Sequence, residues 1–276
     1  MIEVNKIGLI AGSGDLPLQI VDECKKNNVE IAVVLIKGFA NKNDYKNVKN
    51  LIELPFTSIG KIFKFLKNNN VKHIAFAGAV KKPSFNIFTL DFKALQLLKK
   101  ILQNKFLGDN SVLNTIINFA NVNGFDVLEI DKILSNVKFE KGFNSNIDFN
   151  HNYEFEKDIE LGKNTLEKLS NLDIGQSIVI QQQNVIGIEC VEGTKELINR
   201  CGQLQYKKGR KAILVKMKKV GQNRKIDLPT IGPDTIEQLH NNDFAGIAID
   251  YENCLVVSIN KVIELSNKYN IFIYGI

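Results

Sequence analysis

Apolar and polar positions along the chain alternate between two rhythms, and the switches between them mark out the elements. Lys6 to Ala11 is a short apolar run of strand type, followed by the turn Gly12-Ser13-Gly14-Asp15. Leu16 to Lys26 then reads as a helix with Pro17 in its first turn, where a missing N–H costs nothing. Glu30 to Lys37 is a second buried strand, and Ser58 to Asn68 is a helix with Ile59, Ile62, Phe63 and Leu66 on one face. Lys72 to Ala77 is a third strand, ending at Gly78. Strands alternating with helices predict a parallel sheet covered on both faces.

The pattern continues with a helix over Asp91 to Gln103, carrying Leu95, Leu98 and Leu102 on one side, a helix over Ser111 to Ala120 and a strand over Phe125 to Ile130. It breaks at Lys138 to Asn152, an asparagine-rich stretch with Gly142 and no sustained period, which reads as a linker. Beyond it lie a helix from Asp158 to Leu169 and two β-rich segments, Gln176 to Gln182 and Val185 to Val191, joined as a hairpin at Gln183-Asn184. Thr194 is a candidate N-cap for a short helix through Arg200. Strands at Ala212 to Lys218, Ala245 to Asp250, Cys254 to Ser258 and Ile271 to Tyr274 follow, with helices at Pro233 to His240 and Asn260 to Lys268. The expected fold class is α/β, in two α/β domains. Residues 1–137 form an N-terminal Rossmann-like domain with a parallel sheet, 138–152 the linker, and 153–276 a C-terminal catalytic domain with a mixed sheet.

Composition narrows the class. Of the 276 residues 44% are hydrophobic, enough for a core and against wholesale disorder. The longest apolar runs, such as Ile31 to Ile36 and Ala245 to Ile249, fall far short of a membrane span, and the N-terminus does not have the arrangement of a secretory signal. A cytoplasmic protein is expected. The formal net charge of +6, from 36 basic and 30 acidic residues, favours anionic ligands or an anionic membrane surface. No basic arm or aromatic-studded basic strand is present, so nucleic acid is not expected as a partner. Cys24, Cys190, Cys201 and Cys254 make no C-x-x-C pair, and His73, His151 and His240 have no metal-ligand spacing. A metal here would be a hard cation on carboxylates and phosphate oxygens.

Four stretches carry candidate chemistry. Gly12-Ser13-Gly14-Asp15-Leu16-Pro17 is a glycine-rich strand-to-helix turn. It departs from the dinucleotide fingerprint, because Pro17 stands where the third glycine belongs and Lys37 where an acid is expected. It is either an anion cradle of another kind or a plain turn. Gly78-Ala79-Val80-Lys81-Lys82-Pro83 follows the third strand at its carboxyl end, where two lysines would neutralise a diphosphate or simply be solvated. From Ser84 to Phe106, apolar residues (Phe85, Phe88, Leu90, Phe92, Leu95, Leu98, Ile101, Leu102, Phe106) alternate with Lys93, Lys99, Lys100 and Lys105. The stretch suits core packing, an anionic bilayer surface or an acyl chain. Last, Asp227 in Asp-Leu-Pro-Thr-Ile-Gly-Pro follows Lys216, Lys218, Lys219, Arg224 and Lys225. A carboxylate in such a positive field stays an anion, fit to ligate Mg²⁺ or take a proton from water, unless it serves only a turn. Glu189 and Glu192, beside Gly193-Thr194, offer further carboxylates at a helix start.

Together, Ile-Ala-Gly-Ser-Gly-Asp-Leu-Pro (10–17), Gly-Ala-Val-Lys-Lys-Pro (78–83), Asp-Ile-Gly-Gln-Ser-Ile-Val-Ile (173–180), Glu-Cys-Val-Glu-Gly-Thr (189–194) and Asp-Leu-Pro-Thr-Ile-Gly-Pro (227–233) resemble a known family. It is the UDP-2,3-diacylglucosamine pyrophosphatase of lipid A biosynthesis, of the type in Gram-negative bacteria that lack the calcineurin-like enzyme for that step. The resemblance runs from about residue 6 to Gly275. It implies a two-domain enzyme that uses Mg²⁺ and water attack at the α-phosphorus to release UMP and 2,3-diacylglucosamine 1-phosphate, with substrate held between the domains. It puts the essential aspartate at Asp227; on the residues alone, either Glu189 or Glu192 could complete a metal site or simply be an exposed strand-end residue, and Glu189 is taken as the second metal ligand. Substrate contacts are implied at Gly14, Asp15, Lys81, Lys82, Gln176, Glu192, Gly193 and Thr194, and Lys216 of the basic run is added to them as a candidate. Lys82 stands where the family usually has arginine, and lysine cannot make a bidentate phosphate clamp. A lipid substrate implies work at the cytoplasmic face of the inner membrane, and the family precedent allows a homodimer. The alternatives are a non-catalytic nucleotide-sugar binder and a peripheral membrane scaffold.

Overall fold

The computed structural model describes residues 4–80, 87–103, 109–145 and 153–276. They fold as two compact units. The first comprises residues up to Ser135 together with Asn223–Asp227, and the second comprises Asn136–Gln222 and Leu228–Ile276.

In the first unit, β1 (Lys6–Ala11), β2 (Glu30–Ile36), β3 (Asn50–Leu54), β4 (His73–Ala77) and β5 (Asp126–Val127) form one all-parallel sheet in the order β3-β2-β1-β4-β5. The helices are α1 (Leu16–Lys26), α2 (Ile59–Asn68), α3 (Phe92–Gln103) and α4 (Asp109–Val122). β2 is buried from Ala32 to Ile36 without alternation, as a strand covered on both faces should be. On one face Ile62, Phe63 and Leu66 of α2 pack with Phe119 and Phe125, with the Phe63 ring 4.9 Å from that of Phe125. β3 is absent from the sequence expectation. It is a short strand at the sheet's edge, only partly buried, so its apolar pattern is faint. The strand expected over Phe125 to Ile130 pairs only at Asp126–Val127 and then tightens into a 3₁₀ turn, Ile130–Lys132.

On α3 the side that carries Leu95 and Leu102 is exposed, against the core-packing alternative for that stretch, while Ala94 and Leu97 are buried. Core contact belongs to the neighbouring stripe.

The second unit holds a mixed sheet. Its strands are β6 (Gly142–Phe143), β7 (Ser177–Gln181), β8 (Asn184–Ile188), β9 (Ile213–Lys216), β11 (Gly246–Ile249) and β13 (Phe272–Gly275), in the order β6-β13-β11-β9-β7-β8. The pairs β9·β11 and β11·β13 are parallel, while β6·β13, β7·β9 and β7·β8 are antiparallel. A small parallel pair, β10 (Thr230–Ile231) with β12 (Leu255–Val256), stands apart. Successive residues alternate faces. Val179, Leu214, Ile247 and Ile273 join the core under α6 (Gly193–Leu204), α7 (Pro233–Asn241) and α8 (Ile259–Tyr269), whereas Ile178, Val215, Ala248 and Phe272 pack under α5 (Tyr153–Ser170). Part of the stretch read as a linker is structured here: Phe143 pairs with Tyr274 and Phe139 is buried in the core.

The β7–β8 hairpin turns at Gln182 and Gln183, one residue earlier than expected, and both have positive φ (51° and 61°). That backbone suits the twist of a two-residue hairpin but strains non-glycine residues. The fully buried Asp158 carboxylate offsets the strain by accepting both turn N–H groups, at 3.1 and 2.6 Å, and pairs with Arg210 at 3.2 Å.

Candidate active site

In a 3-2-1-4-5 parallel sheet, ligands bind where strand order reverses, between the carboxyl ends of β1 and β4. Here backbone closes that crevice. Ser13 and Ala79 exchange N–H···O bonds of 3.0 and 2.9 Å, and the Ser13 hydroxyl donates to the same Ala79 carbonyl. The approach requires glycine at two points: a Cβ on Gly12 would lie 2.6 Å from the Ala79 carbonyl oxygen, and one on Gly78 2.6 Å from that of Ser13. The glycines therefore bring two strand ends together, and the Ser13 and Ala79 N–H groups are spent on each other's carbonyls. Gly14 and Asp15 lie exposed just beyond this clasp, with Asp15 at the N-cap of α1 but making no side-chain cap bond. Lys81 and Lys82 lie outside the described residues.

The second unit gathers four of the predicted residues. Lys216, at the carboxyl end of β9, is only 5% exposed. Its ammonium donates to the Thr194 hydroxyl at 2.7 Å and the Ser177 hydroxyl at 3.4 Å. Thr194 donates in turn to Glu189 Oε1 at 2.9 Å, and Glu189 Oε2 accepts the Gln176 backbone N–H at 3.3 Å. Lys216 forms no ion pair among the described residues, so a buried positive charge is held by hydroxyls, one of which links it to the Glu189 carboxylate. Ser177 completes the cluster and was not singled out in the sequence. Its signal was its place two residues after Gly175, whose backbone runs so close to the Glu189 carbonyl that a Cβ would stand 2.5 Å from it.

Thr194 does not cap its helix. Residue Glu192 holds the N-cap position and Thr194 lies inside the first turn, its hydroxyl drawn off by Lys216 and Glu189. Gly193 starts the helix at φ +81°. Glu192 stays outside the cluster. Its own backbone N–H, then Arg200 at 2.9 Å, hold its carboxyl below the usual carboxylate range.

Asp227 ends the stretch Asn223–Asp227 that folds with the first unit, although the sequence order placed it in the second. The positive field expected around it is largely neutralised by partners the sequence could not reveal. Lys219 pairs with Asp173 at 2.6 Å, Arg224 with Asp131 at 2.7 Å and Glu129 at 3.4 Å, and Lys225 with Asp126 at 3.6 Å.

Two α/β units, one with glycine-clasped strand ends and one with a buried cation among hydroxyls at a strand's carboxyl end, define a two-unit α/β protein. Residues 6–137 match the LpxI N-terminal domain and residues 147–274 the LpxI C-terminal domain, so the chain belongs to the LpxI family. A relative from Caulobacter vibrioides, named UDP-2,3-diacylglucosamine pyrophosphatase LpxI, is 27% identical over 280 residues, covering 99% of this chain and 98% of its own. Two solved structures show a loose likeness. The Bordetella bronchiseptica enzyme WbmG, in complex with NAD and UDP, aligns over 43% of this chain and 34% of its own, at 15% identity and a TM-score of 0.28. The biotin carboxylase domain of a thermophilic 2-oxoglutarate carboxylase, bound to ADP, aligns over 73% and 40% at 10% identity and a TM-score of 0.23. Neither bears on fold or function.

Among the described residues no group of three or more His, Cys, Asp or Glu side chains stands close enough to cage a metal. Mg²⁺ rarely needs such a cage, because one or two carboxylates plus substrate phosphates commonly hold it. Both oxygens of Glu189 already accept from donors in their own unit.

Proposed function

We propose that the protein hydrolyses the pyrophosphate of UDP-2,3-diacylglucosamine to UMP and 2,3-diacylglucosamine 1-phosphate, a step of lipid A biosynthesis. The match to the Caulobacter relative along nearly the full length of both chains carries this reading. Water attacks the α-phosphorus, a P–O bond forms there, and the bridging oxygen leaves with the β-phosphate as the lipid 1-phosphate. Asp227 is the anion that orients the water and takes its proton. Mg²⁺ arriving with the diphosphate would be held by Asp227 and would spread the charge of the phosphate oxygens. Lys216, fixed by Thr194 and Ser177, supplies a desolvated positive charge to a substrate phosphate. Glu189 acts through Thr194 to hold that lysine. Gly14, Asp15, Lys81 and Lys82 are proposed contacts from the first half of the chain, with Gln176, Glu192 and Gly193 from the second.

The exposed stripe around α3 supports work at the cytoplasmic face of the inner membrane. Phe88 is 91% and Phe92 74% exposed, and a depression of about 410 Å³ is lined, among the described residues, by Leu95, Leu98, Lys99, Leu102 and Gln103. Aromatic and leucine side chains flanked by lysines suit an anionic lipid surface. No helix among the described residues is long and apolar enough to cross a membrane. A homodimer would appear in light scattering as twice the 31.1 kDa chain mass.

The test is incubation of purified protein with UDP-2,3-diacylglucosamine and Mg²⁺, following UMP. UMP release that stops with EDTA supports the reading. A nucleotide-sugar binder would hold UDP without releasing UMP, and a membrane scaffold would bind anionic vesicles whether or not a uridine ligand were present.

A further inference from the structure

The carboxylate on which the proposed reaction rests ends a five-residue stretch, and each of the other four residues grips a different part of the first unit. Asn223 donates from Nδ2 to Asn114 on α4 at 2.7 Å. Arg224 reaches Asp131 at 2.7 Å and Glu129 at 3.4 Å beside the 3₁₀ turn after β5, and Lys225 reaches Asp126 on β5 at 3.6 Å. Ile226 packs against the apolar cluster of that unit. Asn223 also closes the stretch on itself: its Oδ1 accepts the Lys225 N–H at 2.9 Å, and its carbonyl accepts the Asp227 N–H at 3.2 Å.

The grips are unequal. The Lys225 pair ends on an Asp126 side chain that is 57% exposed, whereas the Asp131 that receives Arg224 is 12% exposed and Glu129 21%. A planar guanidinium shared between two shielded carboxylates fixes direction as well as distance, which a single lysine contact does not. We propose that Arg224, bridged to Asp131 and Glu129, is a positioning residue that sets where the Asp227 carboxylate stands. The proposal rests on the catalytic reading of Asp227 above. It claims no substrate contact for Arg224. A misplacement of about 1 Å in a reacting group can cost on the order of 10²-fold in rate, so loosening this grip should show in turnover.

The experiment compares Arg224→Gln, Arg224→Lys, Asp131→Asn and Asp227→Asn as full-length proteins, measuring UMP release and the exchange of the Ile226 and Asp227 amides with deuterium. Expected is a fall in kcat of roughly tenfold for Arg224→Gln and for Asp131→Asn, with KM within about twofold and the far-ultraviolet circular dichroism unchanged at the assay temperature. Arg224→Lys should recover part of the loss. Exchange at Ile226 and Asp227 should quicken in Arg224→Gln, and the same change placed on Asp227→Asn should lower the rate no further. Amide exchange as slow as in the parent protein overturns the proposal, whatever the activity does. So does a raised KM with kcat intact, which would make Arg224 a substrate contact. An inactive Asp227→Asn beside a fully active Arg224→Gln overturns the positioning role alone, while a fully active Asp227→Asn overturns the catalytic reading beneath it.

Discussion

Asp158 and Lys216 are both buried charges, set at opposite ends of the antiparallel pair β7·β9, and they are satisfied in different ways. Asp158 accepts two strained turn N–H groups and meets Arg210, so its charge is answered entirely within the fold. Burial still pushes its carboxyl above the ordinary value, with the Gln183 and Gln182 N–H groups opposing. Among the described residues the Lys216 ammonium has only hydroxyl partners and meets Glu189 through one of them. Burying a cation without a direct counter-ion costs stability, and a fold that keeps one has a use for it. The contrast separates a charge answered within the fold from the one that the proposed reaction would use on a substrate phosphate.

Breaking the structural end should give the largest effect. Asp158→Ala strips the acceptor from two turn N–H groups and leaves Arg210 without its carboxylate. Loss of one member of a buried pair should lower unfolding free energy by about 3–5 kcal/mol, read by chemical denaturation. A loss under about 1 kcal/mol would show that the turn holds by itself.

Lys216→Met should reverse the balance. A long apolar side chain replaces a costly buried charge, so stability should stay within about 1 kcal/mol while kcat/KM falls by roughly 10–10²-fold, the worth of a charged hydrogen bond of about 1.5–3 kcal/mol. Full activity would return Lys216 to a purely structural role. Thr194→Val sharpens the same point at smaller scale, since it removes only the hydroxyl between Lys216 and Glu189. A loss of about three- to tenfold is expected, in line with a net 0.5–1.5 kcal/mol per neutral hydrogen bond. An unchanged rate would sever Glu189 from the site.

The smallest effect is chemical access to the thiols. All four cysteines are free, and burial pushes the Cys254 thiol up to about 12 and the Cys24 thiol up to about 11. Cys201 is also buried, leaving Cys190 as the exposed one. A thiol-disulfide reagent should therefore titrate one thiol in the folded protein and four in denaturant. More than one in the folded state would mean that the core around Cys24 or Cys254 opens readily.

Much of this architecture was legible in the chain. Runs such as Lys6–Ala11 and Glu30–Ile36 are apolar throughout because both faces of their sheet are covered, and that signal survives without tertiary knowledge. Strand β3 was not legible, being a partly buried edge strand whose sequence, Asn50–Leu54, carries little period. On α3 both leucine stripes look alike in sequence, and only packing decides that Leu97 goes inside while Leu95 stays out. The site was readable as residue types and not as company. Gln176, Glu189, Thr194 and Lys216 meet as a cluster because antiparallel β7 brings Ser177 opposite Lys216, a register the chain does not announce. The basic run before Asp227 looked like an unopposed field because Asp126, Glu129 and Asp131, its partners, lie roughly a hundred residues earlier.

The most direct test of the whole account is the rate of UMP release from UDP-2,3-diacylglucosamine by Asp227→Asn beside the parent protein, both shown to be folded. Loss of the carboxylate should lower kcat by at least about 10²-fold, the scale of a general-base or metal-ligand contribution, while far-ultraviolet circular dichroism stays unchanged. A variant that releases UMP at the parent rate would contradict it.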